Sequence, residues 1–213
     1  MSRVIALAPT ITTNDPHEYR EQMELISSYA DGVHLDFADG IFAPTKMLDV
    51  DQSWRKDDII THAHVMHKDP LRVVADLIKL DADLVILHAE SDNLKQALTK
   101  LNDNGTRCGV AILPDTSVDD LRALEVDDLF EHVLVFGGRL GYQGGSADLT
   151  ILDKVTELKQ KYPDVEIGWD GGLNGDNAKQ IAAAGVNVLN MGGYFKNAEN
   201  PAKLYEELKK VLN

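Results

Sequence analysis

The 213-residue sequence carries 21 Lys and Arg against 35 Asp and Glu, a formal charge of −14, with 44% hydrophobic and 26% charged residues. This composition suits one large soluble globular unit and excludes a disordered chain; no apolar run approaches the ~20 residues that span a bilayer, so no membrane partner is expected. The acidic balance repels a phosphate backbone and argues against a nucleic-acid partner, but leaves small anionic ligands open, because backbone amides or a bound cation hold phosphate locally.

Taken in chain order, eight short apolar runs recur. The first follows Met1-Ser2-Arg3, begins near Val4, and is too short for a secretory signal. The others begin near Gly32, His62, Leu84, Cys108, His132, Val165 and Val186, and several, such as Leu84-Val85-Ile86-Leu87, are unbroken in Val, Ile and Leu. Such runs suit strands buried on both faces of a parallel sheet. Cys108, the single cysteine, forms no internal disulfide; it reads as a small core residue, and the chain as cytoplasmic.

Helical periods separate the runs. Asp15-Pro16, Asp69-Pro70 and Asn200-Pro201 share one start device, a capping Asp or Asn before a proline at the first helical position. Leu94, Ala97, Leu98 and Leu101 form one apolar stripe between an expected cap at Ser91 and a stop at Gly105. Ile151, Leu152, Val155 and Leu158 form another, and Leu204, Leu208 and Val211 a third. Between Asp49 and Ile60 charge is dense, and only a short helix fits. Eight alternations predict an α/β chain, a single (β/α)8 TIM barrel over residues 1–213. An open doubly wound sheet competes, but it normally shows G-x-G-x-x-G after the first strand, where this chain has Ala8-Pro9-Thr10.

Ionisable residues collect at the C-terminal ends of these runs, where barrels carry their chemistry. His34 and Asp36 close the second run on one side of the strand; His64 lies late in the third, His88 ends the fourth with Glu90 beyond it, and Asp170 ends the seventh. Two imidazoles and two carboxylates converging on one mouth can supply a divalent-cation shell. The competing reading, hydrogen-bonded structural residues, stays open for each alone; together, unpaired, they would cost several kcal/mol to bury. His88 either orients a ligand or is structural, His62 packs in the barrel, and Arg139 either meets an anion or is solvated. A second constellation is glycine: Gly141, Gly144 and Gly145 after the sixth run, Gly171 and Gly172 after the seventh, Gly192 and Gly193 after the eighth. Late βα loops of barrels often hold phosphate, and glycine lets amides approach its oxygens.

The stretch His34-Leu35-Asp36-Phe37-Ala38-Asp39-Gly40-Ile41-Phe42-Ala43-Pro44, with Leu7-Ala8-Pro9-Thr10, His64-Val65-Met66, Asp69-Pro70, His88-Ala89-Glu90 and Asp170-Gly171-Gly172, resembles the ribulose-phosphate 3-epimerases over essentially the whole chain. The resemblance implies one divalent ion (Zn, Fe, Mn or Co) on His34, Asp36, His64 and Asp170, with Asp36 and Asp170 as the acid/base pair. It places Thr10, where the family has serine, with His64 and Met66 against the substrate, beside Gly141, Gly144, Gly171, Gly172, Gly192 and Gly193. It implies a small-molecule sugar phosphate as partner and a homo-oligomer.

Departures lie at the rim. Ala38 replaces a usual methionine, Leu113 a usual asparagine and Gly193 a usual serine; Thr45-Lys46-Met47 replaces Asn-Leu-Thr, and the loop Arg139 to Gly145 is altered. The expected activity is 3-epimerisation of a ketose phosphate of the D-ribulose 5-phosphate/D-xylulose 5-phosphate type. The alternatives are an epimerase for another ketose, such as allulose 6-phosphate, or a non-catalytic sugar-phosphate binder. A barrel lyase is disfavoured because its D-x-K-x-x-D cluster is absent.

Overall fold

In the computed structural model, which describes residues 4–142 and 144–213, the eight apolar runs are eight parallel strands. They are β1 (Ala6–Ile11), β2 (Gly32–Ala38), β3 (Ile60–Met66), β4 (Leu84–His88), β5 (Cys108–Ile112), β6 (His132–Phe136), β7 (Glu166–Asp170) and β8 (Val188–Met191). Each pairs with its successor and β8 pairs with β1, which closes a (β/α)8 barrel and sets aside the open sheet. Strand alternation explains the unbroken apolar runs. Val85 and Leu87 face outward into the large apolar layer beneath the helices, while Leu84 and Ile86 turn inward and pack with Ala111 and Leu134. Cys108 is buried at the start of β5, and burial pushes its thiol up to about 12.

The helices are α1 (Pro16–Ile26), α2 (Val74–Leu80), α3 (Leu94–Asp103), α4 (Val118–Ala123), α5 (Leu152–Lys161), α6 (Ala178–Ala184), α7 (Gly193–Lys196) and α8 (Pro201–Leu212). Asp15 caps α1 through the amides of His17 and Glu18, and Asn200 caps α8 through that of Lys203. After β2 the charged segment forms only a 3₁₀ turn, Val50–Gln52. Trp54 covers the gap: its ring meets Tyr19 edge-on at 6.0 Å, and its carbonyl accepts from the Tyr19 hydroxyl.

Three local expectations are corrected. Asp69 bonds the side chains of Arg72 and Asn93 instead of capping amides, so the chain enters α2 through a 3₁₀ turn, Pro70–Val73. Ser91 is not the cap of α3; its hydroxyl donates to the His67 carbonyl at 2.7 Å, and Asn93, at φ 55°, holds the cap position. On α8 the buried face runs through Tyr205 and Leu208, leaving Val211 51% exposed, because the Tyr205 ring packs on Tyr29 and Phe195 and turns the helix toward it.

Register fixes what shares the barrel interior. Thr10 lies beside His34, Asp36 beside His64, Phe136 beside Asp170, and Asp170 beside Asn190. Paired residues on adjacent parallel strands point to the same face, so the polar ends of β1, β2, β3, β7 and β8 converge on one mouth.

Candidate functional site

His34, Asp36, His64 and Asp170 each offer one ligand atom, and the four atoms lie within 4.8 Å of one another. His34 Nε2 faces Asp36 Oδ1 at 3.5 Å and Asp170 Oδ2 at 3.8 Å; His64 Nδ1 faces the same two oxygens at 3.1 and 3.7 Å. An ion about 2.0–2.2 Å from four tetrahedral N and O donors spaces them roughly 3.3–3.6 Å apart. His34 adds a second sign: it is fully buried, yet neither ring nitrogen makes a hydrogen bond. A buried imidazole without partners is costly unless its lone pair has another acceptor, such as a cation.

A relay behind the cluster sets the His64 tautomer. Glu90 Oε1 accepts from the Leu113 amide at 2.9 Å and from the Thr116 hydroxyl, while its Oε2 faces His88 Nδ1 at 3.2 Å. Burial pulls His88 down to about 4, so the ring is neutral near pH 7. With its proton on Nδ1 toward Glu90, His88 Nε2 accepts from His64 Nε2 at 2.8 Å. His64 Nδ1 is then left as a lone pair aimed at the two aspartates. Lys154 clamps the Leu113–Thr116 turn by donating to the carbonyls of Leu113, Pro114 and Thr116. On the other side Thr12 donates to Asp36 Oδ2 at 2.7 Å.

Electrostatics distinguishes the two carboxyls. Burial raises both. For Asp36 this is overcome by the His34 and His64 rings set against its carboxylate, which hold it well below the usual carboxylate range. Asp170 is pushed up to about 6, by burial first and then by the Asp36 charge. Two buried carboxylates facing one another need positive charge, and no Lys or Arg is among the described residues that line the cleft above them. The donor set and the charge deficit therefore both fit a divalent cation.

The cleft has a volume of about 240 Å³, below the roughly 300–1,000 Å³ of drug-sized sites, and suits a small polar ligand. Asp36 and Asp170 open onto it with Thr10, Met66, Gly141, Gly144, Gly171, Gly172, Gly192 and Gly193. His34 and His64 lie beneath its floor, fully buried, so His64 faces the cluster and not the cleft. Gly172 is needed for backbone reasons: its φ is +68°, and a Cβ there would fall 2.0 Å from the Ala147 amide nitrogen. Gly193 is different, since an added Cβ meets only ordinary contacts at 3.5 Å and beyond. Arg139 is exposed at the rim with its guanidinium 4.3 Å from the Tyr142 ring centre. Gln143 of the same loop lies outside the described residues.

The structure adds residues that the sequence reading passed over. Met47 lines the cleft and packs with Ala38 and Met66. Its amide donates to the Ala38 carbonyl at 3.0 Å, so the loop supplies a thioether next to the position where the family's methionine is replaced by Ala38. Leu113 does not line the cleft; its backbone anchors Glu90 and Lys154. Thr12 and Asn190 were also missed. Asn190 left a signal, a lone polar residue inside the run Val188-Leu189-Asn190-Met191.

A closed (β/α)8 barrel with an imidazole–carboxylate cluster and glycine-rich late loops at one mouth has the build of a barrel enzyme. Its profile match is to the Ribulose-phosphate 3 epimerase family, over residues 6–195. A cytoplasmic isoform of ribulose-phosphate 3-epimerase from Oryza sativa subsp. japonica is 30% identical over 97% of this chain and 93% of its own length. The Bacillus subtilis ribulose-phosphate 3-epimerase is 26% identical over 97% and 99%. The chain belongs to the ribulose-phosphate 3-epimerase family, and with it to the carbohydrate isomerases. Solved structures show the shared fold: 3-hexulose-6-phosphate synthase from Salmonella typhimurium has TM-score 0.74 at 16% identity, covering 98% of each chain. Phosphoribosyl anthranilate isomerase from Thermococcus kodakaraensis has TM-score 0.65 at 14% identity, covering 99% of this chain and 98% of its own.

Proposed function

We propose that this protein interconverts D-ribulose 5-phosphate and D-xylulose 5-phosphate, moving the C3 proton between Asp36 and Asp170 with a divalent metal held by His34, Asp36, His64 and Asp170. The observation that carries this reading is the carboxyl pair: two buried aspartates, from β2 and β7, that meet at one cation-ready point on a cleft floor. Epimerisation needs a base on one face of the carbon and an acid on the other, and these two strands supply one each. A bound Zn²⁺, Fe²⁺, Mn²⁺ or Co²⁺ would supply Lewis acidity to the substrate's oxygens as negative charge develops. Thr12 fixes the Asp36 carboxylate, and the Glu90–His88 relay fixes His64, so neither group has to reorganise during turnover.

The glycine turns after β6, β7 and β8 hold the phosphate through backbone amides, in keeping with a cleft that has no cationic side chain among its described lining residues. Met47, Met66 and Phe136 give an apolar wall that keeps water from the reacting carbon. The substrate reading is supported by the family and by relatives named for ribulose phosphate. The same reading makes the protein cytoplasmic, like its relative named as a cytoplasmic isoform, and a homo-oligomer.

The test is turnover in heavy water. Wild-type protein loaded with Mn²⁺ should place deuterium at C3 as the epimer forms. Asp36→Asn and Asp170→Asn, at measured full metal occupancy, should each lose about 10²–10⁴ in epimerisation rate. Each should still exchange the proton that faces the surviving carboxylate. Near wild-type epimerisation by both loaded variants would remove these residues from the mechanism.

A further inference from the structure

Among the described residues, the mouth contains a buried side-chain amide that neither the ligand cluster nor the fold employs. Asn190 is 1% exposed, lines the cleft, and leaves both Oδ1 and Nδ2 without a hydrogen-bond partner. Its register neighbours are Asp170 on β7 and Ala8 on β1. Buried side-chain amides are almost always paired, and leaving both ends unmet is strongly unfavourable. A Val or Leu at this inward position would fill the same space without that cost, as Leu134 and Ile86 do elsewhere in the barrel.

The chemistry of the orphan selects its partner. An amide presents a donor and an acceptor together. A phosphate or carbonyl oxygen only accepts and would leave Oδ1 unmet, and the Asp170 carboxylate next to it disfavours an anion. A hydroxyl both accepts from Nδ2 and donates to Oδ1. Asn190 also stands between the two ends of the site, beside Asp170 at the reacting end and two residues before Gly192 among the glycine turns.

We propose that Asn190 reads the C4 hydroxyl of the ketose phosphate, the one between the reacting carbon and the phosphorylated end, and so sets sugar specificity. The inference rests on the ketose-phosphate reading above. It gives that reading a source of selectivity, because the reaction exchanges the configuration at C3, which therefore cannot be selected. C4 is the nearest stereocentre that survives turnover, and an amide with two defined directions distinguishes its configuration.

The test measures binding, by calorimetry on Mn²⁺-loaded protein, of the equilibrated D-ribulose/D-xylulose 5-phosphate pair and of 4-deoxypentulose 5-phosphate. Wild-type protein should prefer the parent pair by about ten- to a hundredfold, the range of one to two hydrogen bonds in a buried site. Asn190→Val should bring the two ligands to near-equal affinity by weakening the parent alone, with Mn²⁺ content unchanged. Asn190→Ser, which puts a hydroxyl able to donate and accept in place of the amide, should retain part of the preference and serves if the valine variant does not fold. Equal binding of both ligands by wild-type protein overturns the assignment. So does a variant that weakens both ligands alike and keeps the preference. If wild-type protein binds neither ligand, the ketose-phosphate reading itself fails and takes this assignment with it.

Discussion

The two ends of the barrel interior use the same residue types to opposite ends. At the N-terminal end, His62 and His132 sit 6.2 Å apart between ring centres, and His132 Nδ1 meets Glu166 Oε2 at 2.9 Å. Arg107 Nη2 also reaches that carboxylate, at 3.0 Å. The carboxylate there is paired with a guanidinium that also reaches Glu131, and burial keeps the imidazoles neutral, pulling His62 down to about 3 and His132 below its ordinary value. At the C-terminal mouth two carboxylates meet two imidazoles, and none of the described residues lining the cleft is a permanent cation. Buried His and carboxylate residues are therefore not in themselves a sign of function. An unbalanced set, open to a cleft, is.

The largest effect that could break this contrast is at Asp170. Its folded value of about 6 lies above the roughly 3.9 of an unfolded aspartate. As pH rises from about 4 to 6, Asp170 of the chelated protein ionises first in the unfolded chain, so its own contribution to stability falls and stays low above pH 6. Asp170→Asn removes that penalty. The chelated variant should be more stable than chelated wild-type protein at pH 8, by on the order of 1–3 kcal/mol, and no more stable at pH 4. With Mn²⁺ present the order should reverse, since wild-type protein gains about 4.1 kcal/mol when the free ion is at a thousand times its dissociation constant. Urea melts at both pH values decide it; a variant equally destabilised with and without metal would mean that the aspartates are structural.

Glu166→Gln probes the balanced end. The His132 hydrogen bond, helped by Arg107, holds the Glu166 carboxyl down to about 2 against the effect of burial, below the roughly 4.3 of an unfolded glutamate. Its contribution is thus present above about pH 4.3 and is lost as pH falls toward 2. Because the side chain is nearly a third exposed, the expected loss at pH 7 is only about 1–2 kcal/mol. That difference should shrink below pH 4, with Mn²⁺ affinity and turnover unchanged. Loss of turnover in a folded Glu166→Gln protein would show that the two ends are coupled.

The smallest effect sharpens the picture of the mouth. Gly193→Ser adds a hydroxyl where the space is open. Binding of inorganic phosphate, followed by calorimetry, should tighten about three- to tenfold, the worth of one hydrogen bond. Weaker binding would place the anion elsewhere in the cleft.

Much of this protein was determined by local sequence. Strand starts fall within two residues of the apolar runs, because continuous Val, Ile and Leu need burial on both faces wherever they lie. His34, Asp36, His64 and Asp170 stood out because ionisable groups at the ends of such runs have no local partner that would account for them. Other features waited for the tertiary structure. Ser91 and Asn93 compete for one helix start, and a contact to the distant His67 carbonyl settles it. Tyr205 instead of Val211 faces the core because two rings from elsewhere in the chain pack on it. Met47 came to the cleft through a loop that folds back on Ala38, the Glu90–His88–His64 relay joined two strands, and Asn190 was recognisable as an orphan only once its neighbours were in place. Periodicity and residue type are properties of a short segment and can be read along the chain. Charge balance and hydrogen-bond satisfaction are properties of a volume, and they exist only after closure of the barrel has brought distant strands together.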